Sequence, residues 1–593
     1  MKPDLLRRGL LGAFLAVVLL IPAVARAELR EADFKQWGLL AVQDDGRRKP
    51  LDTFAHDALL RLTGGSFMGM NVYKDTAGKI WHPNDFLLSV LSSDTRDWKK
   101  EPLILVNYRP LVQQLGLDAE KKRFSFEQLA NLPALQTISR ETQARRVRGG
   151  DVQLTHEQQE VENVTNRLTL FSRMLGGEIL LIAPPPATGE SSGKPWVAPN
   201  IFAQAYGNDR GGAALARVRE TVSAYESGDA FKFGSAARTL RGELRALNPA
   251  LYPADSALST EYTYNHLGAF PWASFLYGAA AILLAAGGAG LMGFRRALRW
   301  TGLVVGLAGL ALHATGIVLR CLVAGRPPVT NMYESVIWVA FIVAALGFAF
   351  FARYRGTTYL LAALPAGCLT LLLVQNLPVA ISGSIEPLQP VLRDNFWLAT
   401  HVTIITASYG AFALGMAFGH ILLARYILNP LSARTDSVLH FWLYRVLQLG
   451  ILLVTVGTIL GAVWANYSWG RFWGWDPKET WAFITLLCYI VAVHGRIAGW
   501  WGQFGLAVAS VVCFAAVVMA WYGVNFVLGK GLHSYGRGVG GEGYVAAFLA
   551  LDALFLAAAC WRHLQSRRQT AGGLLAAIGR RDEKTSAREE ALS

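Results

Sequence analysis

The chain has 593 residues and a net charge of +14, with 53% hydrophobic and only 17% charged residues, against about 25% charged in an ordinary soluble domain. That deficit calls for membrane segments, each needing about 20 consecutive apolar residues. The basic excess sits largely as arginine in short loops between apolar runs, the pattern of a membrane protein, which excludes nucleic acid as the partner. Five cysteines, Cys321, Cys368, Cys488, Cys513 and Cys560, all lie in or beside apolar runs and form no CxxC pair. A disulfide framework, a thioredoxin-like site and a CxxCH attachment motif are therefore excluded.

The N-terminus carries Lys2, Arg7 and Arg8, an apolar run from Gly9 to Val24, and Ala25-Arg26-Ala27. This reads as a secretory signal over 1–27, or an uncleaved anchor, and places residue 28 onward outside the membrane. Residues 28–268 have frequent charges and no long apolar run, so they read as an extracytoplasmic soluble domain, mainly helical or mixed. Within it, Asp44 to Leu60 suggests a turn followed by an amphipathic helix, and Ala119 to Asn166 is polar and helix-favouring. Pro184 to Lys194 is rich in Pro, Gly and Ser and reads as a loop.

From Phe270 nine apolar runs follow, at 271–293, 297–320, 333–352, 358–377, 398–427, 442–463, 479–498, 503–526 and 543–564. The fold class expected is an all-α polytopic membrane bundle of about nine helices over 269–566, with a cytoplasmic tail over 567–593. Arg295, Arg296, Arg299, Arg353, Arg355, Arg425, Arg434, Arg496, Arg562, Arg567 and Arg568 all fall on one side if the soluble domain is outside. The loops 321–332, 378–397, 464–478 and 527–542 are then external.

The most unusual of these spans Trp464 to Trp481, WANYSWGRFWGWDPKETW, with five of the 18 tryptophans: Trp464, Trp469, Trp473, Trp475 and Trp481. An aromatic belt at the membrane surface accounts for one to three of them. It does not account for their density or for Gly470 and Gly474, which allow close backbone approach to a flat ligand. Asp476-Pro477-Lys478-Glu479 also has a structural reading, as the N-cap, first turn and capping-box partner of the seventh membrane helix.

The string WGRFWGWDPKETWAFI resembles the tryptophan-rich "WWD" signature of heme-handling proteins, a group that includes CcsA, CcmC and CcmF, and DPKETWA is most similar to CcsA (ResC). Asn331-Met332-Tyr333-Glu334-Ser335, His401 in FWLATHV, and Gly531-Leu532-His533-Ser534-Tyr535 carry the same resemblance, which spans residues ~270 to 564. GRRKPLDTFA is similar to a region preceding the CcsA part of some fused CcsBA proteins.

Eleven histidines are available as iron ligands. His56, His82, His156, His266, His440 and His563 read as surface or packing residues, and His401 and His533, taken singly, as interfacial polar groups. The resemblance implies instead that His401 and His533 ligate the iron of heme b at the outer face, with Trp464, Trp469, Trp473, Trp475, Asp476 and Trp481 cradling the porphyrin. It also implies that His494 is an intramembrane heme ligand. His420 lies within about 5 Å of the same depth at 1.5 Å per residue and is a local partner for it, unless a second protein supplies that ligand. His313 lies nearer the outer face; Tyr333 and Glu334 line the outer site or cap a helix.

The function implied is a component of a cytochrome c heme lyase, presenting heme for thioether attachment to the CxxCH motif of apocytochrome c. Its partners would be apocytochrome c, a CcsB/ResB-like membrane protein, thiol reductant proteins and the lipid bilayer, at the bacterial inner membrane. The alternatives are a heme chaperone without lyase activity, like CcmC, and a proton-coupled secondary transporter.

Overall fold

The computed structural model describes residues 33–65, 72–92, 96–148, 154–187, 193–288, 294–376, 383–388, 394–429, 437–528 and 541–590. The expected signal segment 1–27 lies outside these residues. The chain divides into two compact units, with the division between Asn265 and His266.

The first unit opens on a hairpin. Strands β1 (Ala41–Asp44) and β2 (Arg47–Pro50) pair antiparallel with Asp44 opposite Arg47. The two-residue turn between them has positive φ at both positions, 49° at Asp45 and 76° at Gly46, the requirement of the tight turn that Asp-Gly favours. Helix α1 (Leu51–Thr63) follows at once. The turn and helix agree with the expectation for Asp44 to Leu60, and β2 is an addition to it. Its Arg-Arg-Lys-Pro sequence lacks the apolar alternation of a strand; Lys49 is instead held between Asp44 and Asp57, 2.8 and 2.6 Å away.

The polar stretch beyond Ala119 supplies helix α2 (Pro133–Arg148) and the start of α3 (His156–Leu175), which begins at a Thr155–Gln158 capping box. It also supplies a short strand, Arg123–Phe124, paired with Ile104–Leu105. Helices α4 (Phe202–Glu226) and α5 (Ala230–Leu247) complete the core around Trp37, Phe54, Phe86, Phe171 and Leu240. The unit is mainly helical, with three two-stranded ribbons among the described residues.

In the second unit, α6 (Ala269–Gly288), α7 (Arg295–Ala324), α8 (Met332–Tyr354) and α9 (Thr358–Asn376) are followed by α10 (Asn395–Leu428), α11 (Ser437–Trp469) and α12 (Pro477–Ile497). Helices α13 (Gln503–Leu528) and α14 (Glu542–Glu590) close it. Among the described residues nine helices are long and apolar enough to cross a membrane, α6 belonging to a span that starts at Asp255. A helix meets all its interior backbone hydrogen bonds within itself, which is why apolar runs of this length take that form in lipid.

Helix α7 packs closely on α6 because its facing positions are glycine. A methyl group at Gly302, Gly309 or Gly316 would lie 2.9, 3.0 or 2.7 Å from Leu284, Tyr277 or Ala269, the small-residue contact typical of membrane helices. Further along, the Phe412 ring on α10 stacks on Tyr489 of α12 at 3.7 Å between centroids.

Helix α11 runs further than its apolar stretch. Trp464 and Trp469, expected in the loop 464–478, lie in its last turns. Nothing in Trp464 to Ser468 breaks a helix, and the left-handed Gly470 (φ 68°) ends it.

Candidate functional site

The starts of α8, α10 and α12 meet the ends of α11 and α13 around one cavity of about 220 Å³. Antiparallel neighbours place these termini at the same end of the bundle. The lining is mostly apolar and aromatic, with Leu398, Ile405, Tyr409, Trp464, Trp473, Trp521 and Phe526 among its walls. The ionisable side chains on it, Tyr409 apart, are His401, Lys478 and Glu479. Few polar groups in a largely apolar concavity is the usual character of a small-molecule site.

His401 sits in a π-helical turn, Leu398–Val402, at the start of α10. Such turns carry an extra residue per turn and recur at functional sites. Its ring lies against α11. Nδ1 is 2.8 Å from the Gly457 carbonyl, and the Trp464 indole meets it edge-on with centroids 5.8 Å apart. A carbonyl accepts only from a protonated nitrogen, so Nδ1 carries a proton. Gly457 and Gly461 permit the approach: a methyl group at Gly457 would lie 2.8 Å from Ile405, and one at Gly461 would lie 2.5 Å from the His401 ring.

The tryptophan segment turns from α11 into α12 through Gly470 to Trp475. Trp473 lines the cavity and meets Trp475 and Phe483 edge-on at 5.9 and 6.3 Å. Trp475 itself is 69% exposed and has φ 57°, a left-handed conformation costing a bulky residue on the order of 1–3 kcal/mol and found mostly where function requires it. The turn is fastened by the cap of α12. Asp476 accepts from the Lys478 amide at 2.9 Å, and Glu479 accepts from the amides of Gly474 and Asp476 at 2.8 and 3.2 Å. Glu479 also pairs with Arg471 at 3.1 Å, and Arg471 lies over the Trp469 ring. Asp476 and Glu479 are thus capping residues, and the cap sets where Trp473 and Trp475 stand.

Of the residues singled out in the sequence, the structure brings His401, Trp464 and Trp473 onto one cavity, joined by Asn331, Met332 and Ser335 from the start of α8. Trp469, Trp475 and Trp481 are not on its lining. His533 lies outside the described residues. His420 and His494 are elsewhere in the bundle. His420 contacts the Met416 carbonyl and an Asp552 carboxylate oxygen on α14, each at 3.0 Å, and stacks on Phe555. His494 contacts the Ile490 carbonyl of its own helix at 3.0 Å and is exposed. His313 is fully buried between Tyr277 and the Ile337 carbonyl, so it is a hydrogen-bonded core residue.

Sequence reasoning missed one wall. Trp521 and Asn525 belong to a second π-helical stretch, Met519–Leu528, at the end of α13. The Trp521 indole donates to Ser335 Oγ at 2.8 Å, and Asn525 accepts from the Lys478 ammonium at 3.2 Å. A tryptophan in an apolar run gives no local signal of a site. Beneath the cavity's α8 edge, Arg320 and Glu334 form an ion pair at 2.9 Å with only 1% of either side chain exposed. Glu334 also accepts from the Thr330 amide at 2.8 Å, and Arg320 donates to the Gly383 carbonyl at 2.9 Å. Tyr333 lies under the Arg320 guanidinium.

The "Cytochrome C assembly protein" family model matches residues 329–533, which contain every residue lining the cavity. The chain is 30% identical to Protein NrfI of Wolinella succinogenes over 521 residues, 85% of this chain and 54% of that protein, so it spans about half the length of NrfI. It is 33% identical to the cytochrome c biogenesis protein CcsA of Chlorella vulgaris over 283 residues, 41% of this chain and 88% of that protein. It is 34% identical to CcsA of a Synechococcus species over 264 residues, 40% and 86% of the two chains. With most of CcsA's length matched at this identity, and the match centred on the helices that build the cavity, the chain belongs to the CcsA family of cytochrome c biogenesis proteins.

Proposed function

We propose that the cavity binds heme b at the outer face of the bacterial inner membrane and presents it for thioether attachment to the CxxCH motif of apocytochrome c. The observation that carries this is His401, whose Nδ1 is bonded to the Gly457 carbonyl beside a cavity walled by Trp464, Trp473 and Trp521. A histidine that ligates a metal through one nitrogen ordinarily donates the other to a carbonyl or carboxylate, which fixes tautomer and ring orientation. Aromatic walls suit a flat apolar macrocycle. The donor set fits an iron porphyrin.

His533 would supply a second nitrogen to the iron in this reading; it follows Phe526, a lining residue, by seven positions in the chain. Heme carries the vinyl groups, across which the cysteine S–H bonds add to form thioethers. The chain's own work is to bind and orient: His401 and His533 would hold the iron, and Trp464 and Trp473 would hold the ring. The cap of α12 keeps Trp473 in place. Holding reactants in one geometry supplies much of such a reaction's acceleration, so no residue is assigned as an acid or base. Arginine in the connections at the opposite end of the bundle supports the orientation. His494, exposed on α12, is suited to a heme ligated jointly with a CcsB/ResB-like partner, since His420 is engaged with Asp552. Thiol reductants keep the substrate cysteines reduced.

The test is maturation of a reporter cytochrome c in cells lacking their own assembly system, with and without a CcsB-type partner, for the full chain and for His401→Ala and His533→Ala. Each variant is expected to lower holocytochrome yield at equal expression. Unchanged yield from the double variant would contradict the proposal.

A further inference from the structure

The cation on the cavity wall meets no anion among the described residues. Lys478 is the second residue of α12 and lines the cavity. Its ammonium donates to the Asn525 amide oxygen at 3.2 Å and forms no ion pair among the described residues. The carboxylates nearest in sequence are committed: Asp476 caps α12, and Glu479 binds Arg471 and two backbone amides. An ammonium has three N–H donors, and one neutral acceptor leaves it under-satisfied. Withdrawing a charge from water is unfavourable unless it is paired. The same bundle pairs its more deeply buried cation, Arg320, with Glu334 at 2.9 Å.

We infer that Lys478 is the carboxylate-recognising residue of this cavity, its ammonium held by Asn525 until an acid group of the bound ligand takes it. The inference rests on the heme reading above. Heme fits the requirement, since two of its pyrrole rings carry propionates and the other two carry the vinyl groups. A lysine that anchors the propionate edge therefore selects which edge is left for attack. Lys478 acts as a positioning and specificity residue: it discriminates porphyrins by their carboxylates, whereas His401 and the aromatic walls do not.

The experiment is a binding titration of the full chain, freed of heme in detergent, with ferric protoporphyrin IX and with its dimethyl ester, which lacks the carboxylates. Unaltered protein is expected to prefer the free acid by about tenfold or more, the scale of one hydrogen bond to a charged group. Lys478→Met, which keeps the apolar stem, is expected to lose that preference while binding the ester as before. Lys478→Arg is expected to restore it. Equal binding of acid and ester by unaltered protein would overturn the inference while leaving the heme site intact. A preference retained in Lys478→Met would overturn it too. Binding of neither porphyrin would overturn the heme reading and this inference with it.

Discussion

His401 lies so close to Gly461 that a methyl group there would stand 2.5 Å from its Cε1 and 2.9 Å from its Nδ1. The missing side chain is what lets the imidazole rest on α11 and reach the Gly457 carbonyl. Gly461→Ala is therefore expected to displace the ring without breaking the helix, since alanine is the better helix former. Heme retained per mole of purified protein should fall several-fold or its absorption maximum should shift. An unchanged spectrum would show that this contact does not position the ligand.

The cap of α12 makes a second, separable prediction. Glu479→Ala removes the acceptor for the Gly474 and Asp476 amides and the partner of Arg471. Losing a cap costs about 1 kcal/mol, so exchange of the Gly474 and Asp476 amide protons should quicken about fivefold by the same conversion. Exchange confined to its original rate in the variant would mean that the turn is held by other contacts.

A third prediction concerns Arg320 and Glu334. Removing one member of a buried pair leaves the other charged and unmatched, typically a loss of about 3–5 kcal/mol. Glu334→Ala should thus lower thermal stability in detergent far more than the double change Arg320→Leu, Glu334→Leu. Equal losses would indicate that the pair is not coupled.

Much of this arrangement was legible in the sequence, for identifiable reasons. Apolar runs of membrane length admit only one secondary structure in lipid, so the nine spans could be counted. The clustered tryptophans and the Asp476–Glu479 cap are local patterns. The opposite wall was not legible. Trp521 and Asn525 reach the cavity through the phase of α13 and its π-helical end, and no spacing rule announces that phase. In the sequence Lys478 reads only as part of a helix start, although its side chain belongs to the cavity. The β1–β2 hairpin was hidden by its charged second strand, while its Asp45-Gly46 turn was the signal available. His420 and His494 share a depth in the sequence, but depth does not specify the face of a helix, and in the fold one meets Asp552 while the other is exposed.

The soluble unit supplies a pH prediction. Burial of Asp75 works against its ionisation, but the Trp81 indole at 2.7 Å, the Lys79 amide at 2.8 Å and the Arg96 guanidinium at 2.8 Å outweigh it and hold the carboxyl below its usual range. A group with a depressed folded pKa stabilises the fold above its unfolded value, about 3.9 for aspartate, and that contribution is lost as pH falls through the folded value. Hydrogen exchange in the Tyr73–Trp81 ribbon, corrected for intrinsic rates, should thus stay level above about pH 5 and accelerate only below about pH 4. Asp75→Asn should accelerate it at neutral pH. A variant with unaltered protection would remove Asp75 from the account.

The most direct test of the central claim is the absorption spectrum of the purified full chain carrying His401→Gly, with and without added imidazole. A free imidazole can fill the space of the deleted side chain. The account predicts that the glycine variant loses the heme band of the unaltered protein and that imidazole restores it. A heme band identical to that of the unaltered protein in His401→Gly without imidazole would contradict the claim that His401 holds the iron.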